Sequence, residues 1–209
     1  MPRHPALARR QLIAVSALLL ASPAWAQSAF AQSNDPRMAE RTLGPADAKV
    51  VVTEWFSLTC THCAAFQKDT FVEVKAKLID TGRIRYVWRD FPLDQVALTA
   101  AMVARALPPE RYEPFVTALL ASQDRWAFAR GVNSTEELAK LAALAGLSRQ
   151  TFNATIGDAD LKRAILSGQE EAEKKSGVTS TPSFVINGKL ISGAVTYDNF
   201  ARAVDAAAA

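Results

Sequence analysis

The amino-acid sequence predicts an α/β fold: a single sheet laid out as β-α-β … β-β-α, with a helical subdomain inserted between the second and third core strands. Three observations carry that expectation. Two β-branched and aromatic runs, residues 50–56 and 83–91, flank a segment of helical character. Strand character then vanishes from Leu93 to about Ser176. It returns at residues 183–186, ahead of a hairpin signal and a last helical stretch. One interrupted sheet accounts for this order more economically than two domains.

The elements follow in order. Residues 1–26 read as an export signal, with Arg3, Arg9 and Arg10 before an apolar stretch and Ala24-Trp25-Ala26 as the cleavage site. Ala29-Phe30-Ala31 offers a second cut, and Arg9-Arg10 also fits a loose twin-arginine pattern. The apolar stretch is about half the roughly 20 residues that span a bilayer, so a soluble, exported chain is expected rather than an anchored one. Residues 27–45 are polar and mixed, a loosely packed lead-in. Residues 46–92 form the first part of the core: a strand at 50–56 covered on both faces, a helix over 60–79 closed by Thr81-Gly82, and a strand at 83–91 stopped by Pro92.

The insertion is expected at 93–168. Pro108-Pro109 and Gly131 interrupt it, and Ser134-Thr135-Glu136-Glu137 has capping-box spacing. Leu138, Leu141, Ala142 and Ala145 then recur at helical spacing, a core stripe and not a ligand site. Residues 169–209 complete the core. There Asn187-Gly188 turns the strand 183–186 back into 189–191, and Thr196 caps a helix running through Ala207.

Composition narrows the function. At 49% hydrophobic and 22% charged residues, the 209-residue chain is neither disordered nor fibrous. Its net charge of +3 belongs to the signal: without those three arginines, the 24 basic residues fall to 21, matching 21 acidic ones. No basic excess survives for a nucleic-acid surface.

Both cysteines lie in Cys60-Thr61-His62-Cys63, where the first strand hands over to the first helix. A helix N-terminus presents unpaired N–H groups and a partial positive charge, which favour a thiolate. Cys60 gains most and is expected to exchange with substrate, with the deeper Cys63 as its internal partner. His62, between them, can stabilise the thiolate through its imidazolium, and an exposed helix residue is its bland alternative. A zinc half-site lacks further ligands in the sequence, and a staple across so short a loop stabilises little.

The chain from Val50 to Asp205 resembles the DsbA-like thiol:disulfide oxidoreductases of the thioredoxin superfamily. Glu54-Trp55-Phe56-Ser57 leading into Cys60-Thr61-His62-Cys63, the helical interlude, and Ser180-Thr181-Pro182-Ser183-Phe184-Val185-Ile186-Asn187-Gly188 carry the likeness. The resemblance implies a thioredoxin-like fold and a cis bond at Thr181-Pro182 facing the cysteines, where an extended peptide binds; a proline that merely opens a strand is the plainer reading. It implies that Glu54 relays protons to Cys63, with Arg85 or Arg89 as partner, against a strand-end glutamate in water. It implies a redox-active Cys60–Cys63 disulfide, no cofactor and no metal. Reduced or unfolded exported polypeptides are the implied substrates, in the bacterial periplasm, with a quinone-linked membrane oxidase recycling a monomeric protein. Thr61 stands where many disulfide donors have proline; its hydroxyl can tune the thiolate by donating a hydrogen bond, but it changes the loop's rigidity, which leaves the potential open. A reductase or isomerase kept reduced, and a metal-handling or chaperone-like binding protein, are the alternatives.

Overall fold

The structure is a computed structural model that describes Met1 and residues 35–209; the signal and most of the lead-in lie outside the described residues. A five-stranded sheet in the order β1-β3-β2-β4-β5 forms the frame: β1 (Arg41–Leu43), β2 (Val50–Phe56), β3 (Ile84–Asp90), β4 (Ser183–Ile186) and β5 (Lys189–Ser192). β2 and β3 run parallel through the α1 (Thr61–Asp69) crossover, and the remaining pairings are antiparallel. Between β3 and β4 come α3 (Gln95–Ala106), α4 (Pro109–Ala121), α5 (Gln123–Trp126), α6 (Ser134–Leu144), α7 (Arg149–Ile156) and α8 (Ala159–Ser176). The sheet is therefore the mixed, interrupted one expected.

Four expectations need correction. The lead-in is not loose at its end: 41–43 form edge strand β1 against β3, and Arg41 is buried, donating to the carbonyls of Arg105 and Leu107 at 3.0 and 3.2 Å. A three-residue polar strand carries too little periodicity to announce itself. The cap of α6 is Asn133, not Ser134; its Oδ1 accepts from the backbone of Thr135 and Glu136, leaving Ser134 as the first helical residue. The helix over 60–79 breaks at Thr70 into α1 and α2 (Phe71–Val74), which ends in a π-helical turn, Lys75–Ile79. The boundary placed between 168 and 169 falls inside the continuous helix α8.

The hairpin turn is as chemistry requires. Asn187 and Gly188 both adopt positive φ, 43° and 88°, the left-handed pair that a two-residue turn demands. The Asn187 side chain also accepts from Val51 N at 2.9 Å and donates to the carbonyls of Lys49 and Ala207, tying the turn to β2 and to α9 (Tyr197–Ala208). Thr196 caps α9 by accepting from Asn199 N.

Packing sets the position of α1. Its Phe66 is fully buried and lies 4.6 Å, centroid to centroid, from Phe184 of β4 and 6.0 Å from Phe200 of α9. Phe184 follows Pro182 by two residues, so this aromatic contact locks the cysteine helix to the proline segment. Tilted ring pairs of this kind contribute about 0.5–1.5 kcal/mol each beyond their burial.

Candidate active site

β2 ends at Phe56, and the loop Ser57–Leu58–Thr59 delivers Cys60 as the N-cap of α1. Cys60 has extended dihedrals, φ −81° and ψ 116°, and its Sγ accepts from the backbone N–H of Cys63 at 3.3 Å. The thiol also donates to the carbonyl of Thr181 at 3.3 Å, across 121 residues of chain. The Thr181–Pro182 peptide is cis, and both residues are buried, Thr181 against Cys60. Cys60 keeps 6% of its surface exposed and Cys63 none; both are free thiols.

The two sulfurs occupy opposite electrostatic settings. The Cys63 thiol hydrogen-bonded to it pulls Cys60 down to about 6; the Thr181 side chain and the backbone N–H groups of Cys63 and His62 act in the same sense, against burial. Burial first, then the hydrogen bond to Cys60 and the negative charges of Glu54 and Cys60, push the Cys63 thiol far above its ordinary value. Thr61 and His62 are exposed in the first turn of α1, and the backbone N–H of His62 is among the groups that favour the Cys60 thiolate. Among the described residues no group of three or more His, Cys, Asp or Glu is placed to hold a metal ion.

Glu54 lies beneath the pair, 2% exposed on β2. Its partner is neither expected arginine. Tyr86 donates its hydroxyl to Glu54 Oε2 at 2.7 Å, because Tyr86 stands opposite Val52 in the parallel register and so shares the face of Glu54 two residues on. Arg85 and Arg89 point to the other face of β3, where both pair with Glu40 of the lead-in at 2.7 and 2.8 Å. Burial raises Glu54 to about 7, with the Tyr86 hydrogen bond opposing it and the Cys60 charge adding to it.

That shift has a sign for stability. The carboxyl binds its proton more tightly folded than unfolded, so its contribution is present below the ordinary value of 4.5 and lost as pH rises through about 7. Glu54→Gln keeps an acceptor for Tyr86 and removes the charge. It is expected to stabilise the protein by about 3 kcal/mol at pH 8 and by little at pH 5, read from urea unfolding midpoints. Equal effects at both pH values would contradict the assignment.

Sequence reasoning missed the residues that hold the loop. Ser57 Oγ accepts from Leu93 N at 3.3 Å, Thr59 donates to Asp94 Oδ2 at 2.7 Å, and Gln123 donates to the carbonyls of Leu58 and Cys60 at 2.9 and 3.1 Å. Ser57 and Thr59 adjoin the cysteines and were within sight. Asp94 and Gln123 come from the insertion, and nothing in their local sequence points toward Cys60.

The family model described as Thioredoxin matches residues 37–206. A Rickettsia typhi protein assigned by name as a protein-disulfide oxidoreductase is 31% identical over 169 residues, covering 80% of this chain and 62% of that protein. The similarly named Rickettsia prowazekii protein is 31% identical, covering 80% and 61%. The chain thus spans about three fifths of the length of these relatives. Wolbachia pipientis alpha-DsbA1 superposes with a TM-score of 0.75 at 32% identity, covering 81% of this chain and 91% of that one. Bacillus subtilis BdbD, with a TM-score of 0.71 over 81% of this chain and 92% of that one, is 19% identical and shares the fold. The chain belongs to the thioredoxin family and, within it, to the DsbA-like thiol:disulfide oxidoreductases.

Proposed function

We propose that the protein donates a Cys60–Cys63 disulfide to reduced exported polypeptides in the periplasm and is reoxidised by a quinone-linked membrane oxidase. The single observation that carries this reading is the asymmetry of the two sulfurs: one held as an anion, the other buried and protonated.

In the oxidised protein a substrate thiolate attacks Cys60 Sγ, a mixed disulfide forms, and the electron pair of the broken bond leaves on Cys63. Glu54, poised near neutrality, supplies the proton that Cys63 takes up. A second substrate thiolate then attacks its neighbour's sulfur and expels Cys60 as the stabilised thiolate. The substrate loses two electrons and two protons and gains a disulfide; the cysteine pair ends reduced. Thr181-Pro182 receives the peptide backbone in an extended form. Leu93, about half exposed, adjoins the loop through its N–H to Ser57 and suits apolar side chains of an unfolded substrate.

The direction of transfer follows from Cys60. A thiol about one unit below neutral pH stabilises the reduced state by roughly 1.4 kcal/mol at pH 7, or about 30 mV for a two-electron couple. The reduced state is favoured, so the oxidised protein gives its disulfide away. Among the described residues no helix is long and apolar enough to cross a membrane.

Equilibration with glutathione buffers tests the direction. The expected potential is less negative than that of the glutathione couple; one well below it would overturn the donor reading in favour of a reductase. Retention of in vivo function by Cys60→Ser would favour a binding protein instead.

A further inference from the structure

We propose that Gln123 is a positioning residue for Cys60: from the helical insertion it pins the carbonyls of Leu58 and Cys60 and so holds the reactive loop in the shape that caps α1. The proposal rests on the disulfide-exchange reading, since that reading gives Cys60 its reactivity.

Gln123 begins α5, is 6% exposed, and has its backbone carbonyl engaged by Ala127 N and Phe128 N. A carboxamide carries two N–H donors in one plane. Here Nε2 reaches Leu58 O at 2.9 Å and Cys60 O at 3.1 Å. The loop between them is a tight turn closed by Cys60 N donating to Ser57 O at 3.1 Å. The Cys60 carbonyl also accepts from Ala64 N at 3.1 Å, the first bond of α1, so its direction sets both the helix start and the sulfur's position.

A second hold comes from the other end of the insertion. Asp94 caps α3 by accepting from Ala97 N at 2.8 Å through Oδ1, while its Oδ2 takes the Thr59 hydroxyl at 2.7 Å. Neither Asp94 nor Gln123 touches sulfur. The helical insertion therefore grips the four residues 57–60 from α3 and from α5, and of these grips Gln123 acts nearest the sulfur.

The physical consequence lies in the contacts Cys60 itself makes. Its sulfur meets the Cys63 N–H only while Cys60 keeps φ −81° and ψ 116°. Without the two amide donors, the Leu58 carbonyl must turn toward water, because a buried carbonyl left without a donor is costly, and the Cys60 carbonyl keeps Ala64 N but loses the donor that fixes its tilt. The peptide planes rotate with them, and the N–H groups that stabilise the thiolate no longer converge on it. Glutamate cannot replace the amide when ionised, having only acceptors to offer two oxygens.

The test is the pH profile of Cys60 alkylation by iodoacetamide in the reduced protein, read by mass spectrometry. Gln123→Met, close in length and without donors, is expected to move the midpoint upward by about one unit, a tenfold loss of alkylation rate at any pH below both midpoints. Val116→Ala, a core change on α4, lowers thermal stability and leaves the midpoint in place. A Gln123→Met profile superimposable on wild type overturns the proposal. Should that variant not fold, Gln123→Ala gives the same comparison, and an unshifted midpoint in it overturns the proposal equally. A wild-type midpoint at the ordinary thiol value with a shifted variant sinks the exchange reading and leaves the positioning role standing; a depressed wild type with unshifted variants does the reverse.

Discussion

Cys60→Ser and Cys63→Ser are each expected to abolish disulfide transfer to a reduced peptide, and Cys63→Ser in addition to trap a mixed disulfide. With serine at 60 no sulfur is open to attack, so oxidation of a reduced peptide falls by at least about 10³-fold, to the uncatalysed rate. With serine at 63 no internal disulfide can form to be donated. Offered a disulfide-containing peptide instead, the Cys60 thiolate attacks it and one peptide thiolate leaves; with no neighbouring thiol at 63 to expel the other, the mixed disulfide accumulates as a covalent adduct visible on non-reducing gels. The same pair of positions checks the electrostatics. Because the Cys63 thiol is the leading cause of the low Cys60 value, Cys63→Ala is expected to raise the thiolate midpoint above about 6, while the hydroxyl of Cys63→Ser preserves part of the effect. Absorbance at 240 nm across pH measures both. Transfer by Cys60→Ser at a substantial fraction of the wild-type rate would end the exchange mechanism.

Loss of Arg105 is expected to be the most destabilising single change outside the site. Its guanidinium is 1% exposed, holds Asp90 Oδ2 at 2.6 Å, and donates to Ala39 O at 2.9 Å. It also stacks 5.3 Å from the ring of Tyr112. Arg105→Met leaves the Asp90 carboxylate buried without its counter-ion, which costs about 3–5 kcal/mol. For a chain of this size that is a fall of roughly 10 °C or more in Tm. Arg105→Met combined with Asp90→Leu is expected to recover most of the loss, since apolar side chains can replace a buried ion pair at little cost. Calorimetry of the two variants decides it. If Arg105→Met alone keeps wild-type stability, the pair carries no such weight.

How much of this was legible in the residues depended on whether the cause was local. The strand at 50–56, the Asn187-Gly188 turn and the Thr196 cap are set by side chains next to the backbone they organise, and each lies where its chemistry puts it. The cap of α6 slipped by one residue because Asn133 and Ser134 are both good caps and only the folded backbone chooses. Glu54 was singled out through the family resemblance, but its partner depended on sheet register, which places Tyr86 on its face and sends Arg85 and Arg89 to Glu40. Gln123 was invisible: a glutamine in a helical run looks like a solvated residue until the fold brings it 63 positions back along the chain to Cys60.

The sheet's two borders have a consequence for the company this protein keeps. β1 is three residues long and β5 four, with Lys189 and Ser192 of β5 facing water and Gly193, at φ 91°, ending the strand. Short borders with a lysine and polar ends give a passing extended chain few free amides to copy. If the proposed exchange with unfolded polypeptides holds, the protein offers them a reactive sulfur while denying them a template for fibre growth.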